Sequence, residues 1–169
     1  MAMHSKILAA FPALVVALTV GAIVTAGAGQ QNTAFQGVWR AVEVVIPGPA
    51  GGTFRPEATL SIFHGRHYSR VEVQAEQPRA PLANPSTASA DDLRAVWGPF
   101  VGEGGTFELS GGNTITMQAT VAKNPAAMVK GAVSVYTYKR DGNTLTLTQV
   151  RTHAGPAPHP ATITLTRVE

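Results

Sequence analysis

From Gly37 onward, apolar side chains recur at every second position in short runs that Gly, Pro and Asn interrupt. In 113–122, Ile115, Met117, Ala119 and Val121 alternate with Thr114, Thr116, Gln118 and Thr120; in 161–168, Ile163 and Leu165 alternate with Thr162, Thr164 and Thr166. Side chains on a strand change face at each residue, so these are ribbons with one buried and one wet face. The same signal predicts eight strands, over 37–46, 57–63, 67–74, 105–110, 113–122, 131–140, 143–151 and 161–168. One segment leaves the period of two. Ser89-Ala-Asp-Asp92 reads as a capping-box start, Leu93, Val96 and Trp97 follow at helical spacing, and Gly98-Pro99 ends the run, which predicts one short helix between strands three and four.

The connections alternate in length. His64-Gly65-Arg66, Gly111-Gly112 and Asp141-Gly142 are tight, whereas 47–56, 75–104, 123–130 and 152–160 are long. Successive connections of an up-and-down meander fall at opposite ends of the sheet, so the tight turns collect at one end and the long loops at the other. The expected fold is therefore all-β, an eight-stranded up-and-down antiparallel β-barrel with a closed end and a looped mouth. Rolling the sheet shut removes its exposed edges, and eight strands enclose room for one small ligand.

The first residues change the picture of where this barrel resides. Lys6 precedes an apolar run from Ile7 to about Ala26, and the small residues Ala26-Gly27-Ala28 lead into polar Gln30 and Gln31. That order predicts a secretory signal over 1–28, a linker over 29–36 and the barrel domain over 37–169. An uncleaved membrane anchor is the alternative, since the run is long enough to span a bilayer; the membrane is a partner only in that case. Both readings place the domain outside the cytoplasm, in the periplasm or secreted. The chain has no cysteine, which excludes a lipid-anchored export signal, a disulfide and a thiolate metal site. The net charge is +3, and of the scattered basic residues only Lys139 and Arg140 adjoin. No clustered footprint for nucleic acid results.

Gly37-Val38-Trp39 matches the G-x-W that opens the first strand of the lipocalin and calycin group. Arg167 stands where that group's late arginine packs over the tryptophan. The stretch Ser89 to Leu109, Asn124-Pro125 and Asp141-Gly-Asn-Thr-Leu-Thr-Leu147 are similar to segments of the bacterial lipocalin-like domains, and the resemblance spans nearly all of 37–169. The missing cysteines and the position of the inserted helix depart from many members of the group. The resemblance implies a calycin-like barrel that binds a small apolar or amphipathic molecule. It also implies a structural pair of Trp39 and Arg167 at the closed end, worth about 0.5–2 kcal/mol as a cation–π contact.

Strand parity then nominates the lining. Leu60, Ile62, Val71, Val73, Phe107, Leu109, Ile115, Met117, Val133, Val135, Leu145, Leu147, Ile163 and Leu165 form the expected inner face, with Glu43, Thr137 and Gln149 as polar intruders able to orient a ligand. A slip of one residue in the first strand would put Glu43 outside. Tyr68, Arg70 and Glu72 share a face, as do Tyr136 and Tyr138. This register puts them outside, whereas a bulge would turn Tyr68 and Arg70 into the cavity. Trp97 and Phe100, at the mouth, either cork the barrel or form a lid. The histidine pairs His64/His67 and His153/His159 belong to opposite ends, which speaks against a metal site. No serine elbow, phosphate cradle or acid/base pair stands out, and no cofactor is indicated. The expected ligand-binding set is Glu43, Tyr68, Arg70, Trp97, Phe100, Met117 and Gln149. The leading function is a lipocalin-like small-molecule binder. The alternatives are a filled barrel acting as a structural or interaction module, and a barrel isomerase or hydratase using Glu43, Tyr68 or Arg70. The sequence carries no statement on oligomeric state.

Overall fold

The computed structural model describes residues 35–49 and 51–169. The predicted signal segment and most of the linker lie outside the described residues. Ten strands form one sheet: β1 (Gly37–Ile46), β2 (Gly52–Phe54), β3 (Ala58–His64), β4 (His67–Val73), β5 (Phe100–Ser110), β6 (Thr114–Ala122), β7 (Ser134–Asp141), β8 (Thr144–Thr152), β9 (Gly155–Pro156) and β10 (Thr162–Arg167). The helix α1 (Ala90–Trp97) separates β4 from β5, and a 3-10 turn (Pro125–Met128) separates β6 from β7. Eight strands close into an antiparallel ring, because β10 pairs with β1 on one side and with β8 on the other; β2 and β9 are short additions on β1 and β8.

The tight turns gather at one end. Gly65 and Gly142 adopt φ of 58° and 54°, the left-handed conformation that two-residue hairpins need. The core fills this half of the barrel with Trp39, Phe63, Phe107, Ile115, Leu145 and Leu165, all buried. Phe35 joins them, although the sequence places it in a polar linker. Its ring meets Phe63 at 4.7 Å and Tyr138 at 5.1 Å, edge to face in both cases. Gln36 beside it is clipped to the β3–β4 turn: its side-chain amide donates to the Gly65 carbonyl at 3.0 Å and accepts from the Gly65 N–H at 2.6 Å.

Three register shifts re-aim side chains in ways that strict alternation misses. An extra residue in β1 lets Ala41 face Leu165 and Glu43 face Thr164. Val44, opposite the core residue Ile163, therefore points in and Glu43 points out. A second shift makes Gly104 pair with Val121 and Gly105 with Ala119, so Val121 is turned out and is 65% exposed rather than lining the lumen. Glycine is required at 105, where a Cβ would stand 2.0 Å from the Gln118 carbonyl oxygen. The third shift pairs Tyr136 with Gln149 and Val135 with Arg151, leaving Val150 over.

The expected inner face of β3, β4 and β7 is reversed. Leu60, Ile62 and Val71 are exposed, while Ser61, Phe63, Tyr68 and Glu72 are buried. Tyr136 is buried as well. Thr137 and Val135 share the opposite face, paired with Thr114 and Thr116. The physical reason lies at the base. Small Ser61 is the direct partner of Trp39 and leaves room for the indole, and Phe63 meets both Phe35 and Phe107 edge to face. Two buried aromatic rings outweigh the aliphatic side chains left outside, since a Phe or Tyr removes about 150–250 Å² from water. Once Phe63 points in, its cross-strand partner Tyr68 must too, and Arg70 and Glu72 follow by parity.

α1 is begun by a complete capping box. The Ser89 hydroxyl accepts from the Asp92 N–H at 3.1 Å, and the Asp92 carboxylate accepts from the Ser89 N–H at 3.2 Å. The Ser89 hydroxyl, which also donates to the Asp92 carboxylate at 2.6 Å, and after it the Ser89 N–H hold the Asp92 pKa below its ordinary value. A depressed carboxylate contributes its stabilisation above the ordinary carboxylate range and loses it as pH falls through the lowered pKa. Amide-exchange protection at Leu93 is therefore expected to fall in Ser89→Ala at neutral pH and in the parent protein on acidification. Unchanged protection in both would contradict the cap.

Candidate functional site: a polar layer beneath the barrel mouth

Above the packed base, the same inward parity gathers polar groups from four strands. β4 supplies Tyr68, Arg70 and Glu72, β5 Glu103, β7 Tyr136 and β8 Gln149. Arg70 and Glu103 are cross-strand partners and form an ion pair of 3.2 Å with side chains 18% and 14% exposed. The Arg70 Nη1 donates to the Tyr136 hydroxyl at 3.5 Å, and the Gln149 amide donates to the same oxygen at 3.4 Å. Glu72 is buried and accepts from the Gln74 side chain. Burial opposes the charge on Arg70, but Tyr136, Glu72 and Glu103 around it outweigh that and raise its pKa. Burial, and after it the Glu103 carboxylate, push the Tyr68 phenol well above its usual value.

This layer floors a pocket of about 350 Å³ that opens among the long loops. Its apolar wall comes from Phe100, Val101, Ala122 and Ala127, and its rim from Asn124 and His153, whose side chains meet at 3.2 Å. The volume is at the low end for small-molecule sites and equals that of roughly a dozen waters at about 30 Å³ each. Lys123 sets the rim. Its ammonium donates to the carbonyls of Trp97, Gly98 (3.2 Å) and Phe100 (2.8 Å), which ties the C-terminal end of α1 to β6 at the negative pole of the helix.

Of the expected site residues, the structure brings Arg70, Phe100 and Gln149 to this pocket, and Tyr68 to the layer beneath it. Met117 is buried in the core. Glu43 belongs instead to an outer groove of about 500 Å³ along β1 and β3, where Arg40, Arg55 and Thr59 also stand. Trp97 is 53% exposed, meets Phe100 edge to face at 6.0 Å and is not among the residues that line the pocket. α1 buries no residue. Glu103, Tyr136 and Lys123 also belong to this candidate site, and the local sequence pattern does not single them out. Glu103 lies in a glycine-rich run that reads as a loop, and strict alternation puts Tyr136 on the outer face.

At the base, Trp39 and Arg167 meet as register partners, with the guanidinium 5.2 Å from the indole centroid; Arg140 stands 5.7 Å from the same ring. The class defined by these features is a closed eight-stranded antiparallel β-barrel with a plugged base and a polar-floored pocket. No family model and no curated protein matches the chain. Among solved structures, the chain is similar to a redesigned β-barrel, with a TM-score of 0.44 and 12% identity over 82% of this chain and 95% of that one.

Proposed function

We propose that the protein is an exported, lipocalin-like carrier of one small amphipathic molecule, held at the barrel mouth and working in the periplasm or outside the cell. The observation that carries this reading is the pocket itself, an apolar wall set over a buried layer of hydrogen-bonding side chains. Apolar lining with a few placed polar groups is the composition of a ligand site, whereas a purely structural barrel would fill the space with aliphatic side chains. The signal-like start and the G-x-W resemblance support export and the lipocalin-like assignment.

Native mass spectrometry of protein purified from its own host tests the proposal. A reproducible bound small molecule is expected, and it should be lost in Ser134→Phe, whose ring would occupy the pocket. Affinity in that variant should fall by at least about tenfold, the equivalent of about 1.4 kcal/mol. A protein that carries nothing, and that binds no member of a broad panel of small amphipathic compounds, would refute it.

A second reading is favoured by one observation. Tyr68, Arg70, Glu103 and Tyr136 are titratable and converge under a pocket, as a barrel isomerase or hydratase would require. Turnover of a bound carbonyl compound, abolished by Glu103→Gln, would distinguish it from simple carriage.

A further inference from the structure

We infer that the pocket holds its ligand by an uncharged oxygen, the carbonyl of a ketone, aldehyde or ester, and not by a carboxylate or an ammonium head; this rests on reading the pocket as a binding site. The key atom is the Tyr136 hydroxyl. It belongs to a buried residue lining the pocket, and its oxygen already receives hydrogen bonds from Arg70 and Gln149. A phenol has one proton to donate and two lone pairs to accept with. Both lone pairs are engaged, and among the described residues the proton meets no acceptor. A buried donor in that state is satisfied by a ligand acceptor, and leaving it unmet is unfavourable.

The surrounding charges decide what kind of acceptor fits. Arg70 is the guanidinium at the pocket floor. It is bound to Glu103 at 3.2 Å, and the buried carboxylate of Glu72 lies close enough to influence it. Two carboxylates thus already answer the charge of this one guanidinium. A third carboxylate brought in by the ligand would be repelled as well as desolvated. The Lys123 ammonium keeps its charge, but its three protons are taken by backbone carbonyls at the rim, so it has none left to donate to a ligand carboxylate. An ammonium head meets the converse obstacle, since Glu103, the carboxylate that lines the pocket, is already paired with Arg70, and Glu72 is not among the lining residues and is bonded to Gln74. A neutral carbonyl avoids both. Its oxygen takes the Tyr136 proton, while its hydrocarbon part lies along Phe100, Val101 and Ala127.

Calorimetric titration of the purified protein with methyl octanoate, octanoate and octylammonium at neutral pH tests this. The three share one chain and differ at the head. Methyl octanoate is expected to bind about tenfold more tightly than either ion, a factor of the size one hydrogen bond contributes. Tyr136→Phe should erase that preference while near-ultraviolet circular dichroism shows the barrel intact. Gln149→Leu, which removes one donor to the phenol, should weaken it less. Should Tyr136→Phe fail to fold, the ranking of the three compounds on the unaltered protein decides. Octanoate or octylammonium binding as tightly as the ester, or more so, overturns the inference and leaves the carrier reading standing. If none of the three binds, this inference fails, and the carrier reading is decided by the native mass spectrum and the broader panel.

Discussion

Replacing Trp39 by alanine is expected to lower the unfolding free energy by about 4 kcal/mol, the middle of the range for emptying a fully buried Trp or Phe site. Trp39 is fully buried, and its indole N–H donates to the Phe35 carbonyl at 3.2 Å. Its ring is flanked by the guanidinium groups of Arg167 and Arg140. Alanine would leave a cavity beneath Phe35 and would also strip two cations of the π face that covers them. Against a total stability of about 5–15 kcal/mol, this is a large share, equivalent to roughly 10–20 °C in Tm. Urea titration followed by far-ultraviolet circular dichroism measures it, with Trp39→Phe as the milder comparison. A loss below about 1 kcal/mol would mean that the base is not packed around this ring.

The second large effect is expected from Arg70→Met. It removes the guanidinium of the polar layer, leaving Glu103 without its ion-pair partner and Glu72 without the cation near it. Deleting one partner of a buried ion pair costs about 3–5 kcal/mol, because the remaining charge stays desolvated and unpaired. The lower figure applies here, since the pair retains some exposure. The double variant Arg70→Met/Glu103→Gln should recover a large part of the loss, because it removes the stranded charge as well. A double variant no more stable than the single one would show that the arginine acts through packing of its methylene stem, not through the pair.

The closed barrel was legible because its two signals are long-range and redundant: period-two runs and the regular exchange of tight and long connections. Which side of each strand turns inward was much less legible. In 58–64 the sequence alternates Leu60 and Ile62 against Thr59, Ser61 and Phe63. Hydropathy alone favours the aliphatic pair, but what decides is a tertiary fit, Ser61 opposite Trp39 and Phe63 against Phe35, which no local pattern reports. The bulges are equally hidden, because one extra residue at 42, 120 or 150 inverts every face beyond it. Polar residues made the error worse. Arg70 and Glu72 look like solvent-facing positions until Glu103, some thirty residues away, turns out to be the cross-strand partner of Arg70.

Both chain ends of the described structure finish beside the plugged base. Gln36 is fastened to the β3–β4 turn, and the Val38 N–H donates to the carbonyl of Glu169 at 3.0 Å. A tether, reporter or surface attachment joined at either end would thus hang from the floor of the vessel, and its opening would face freely into the surrounding medium.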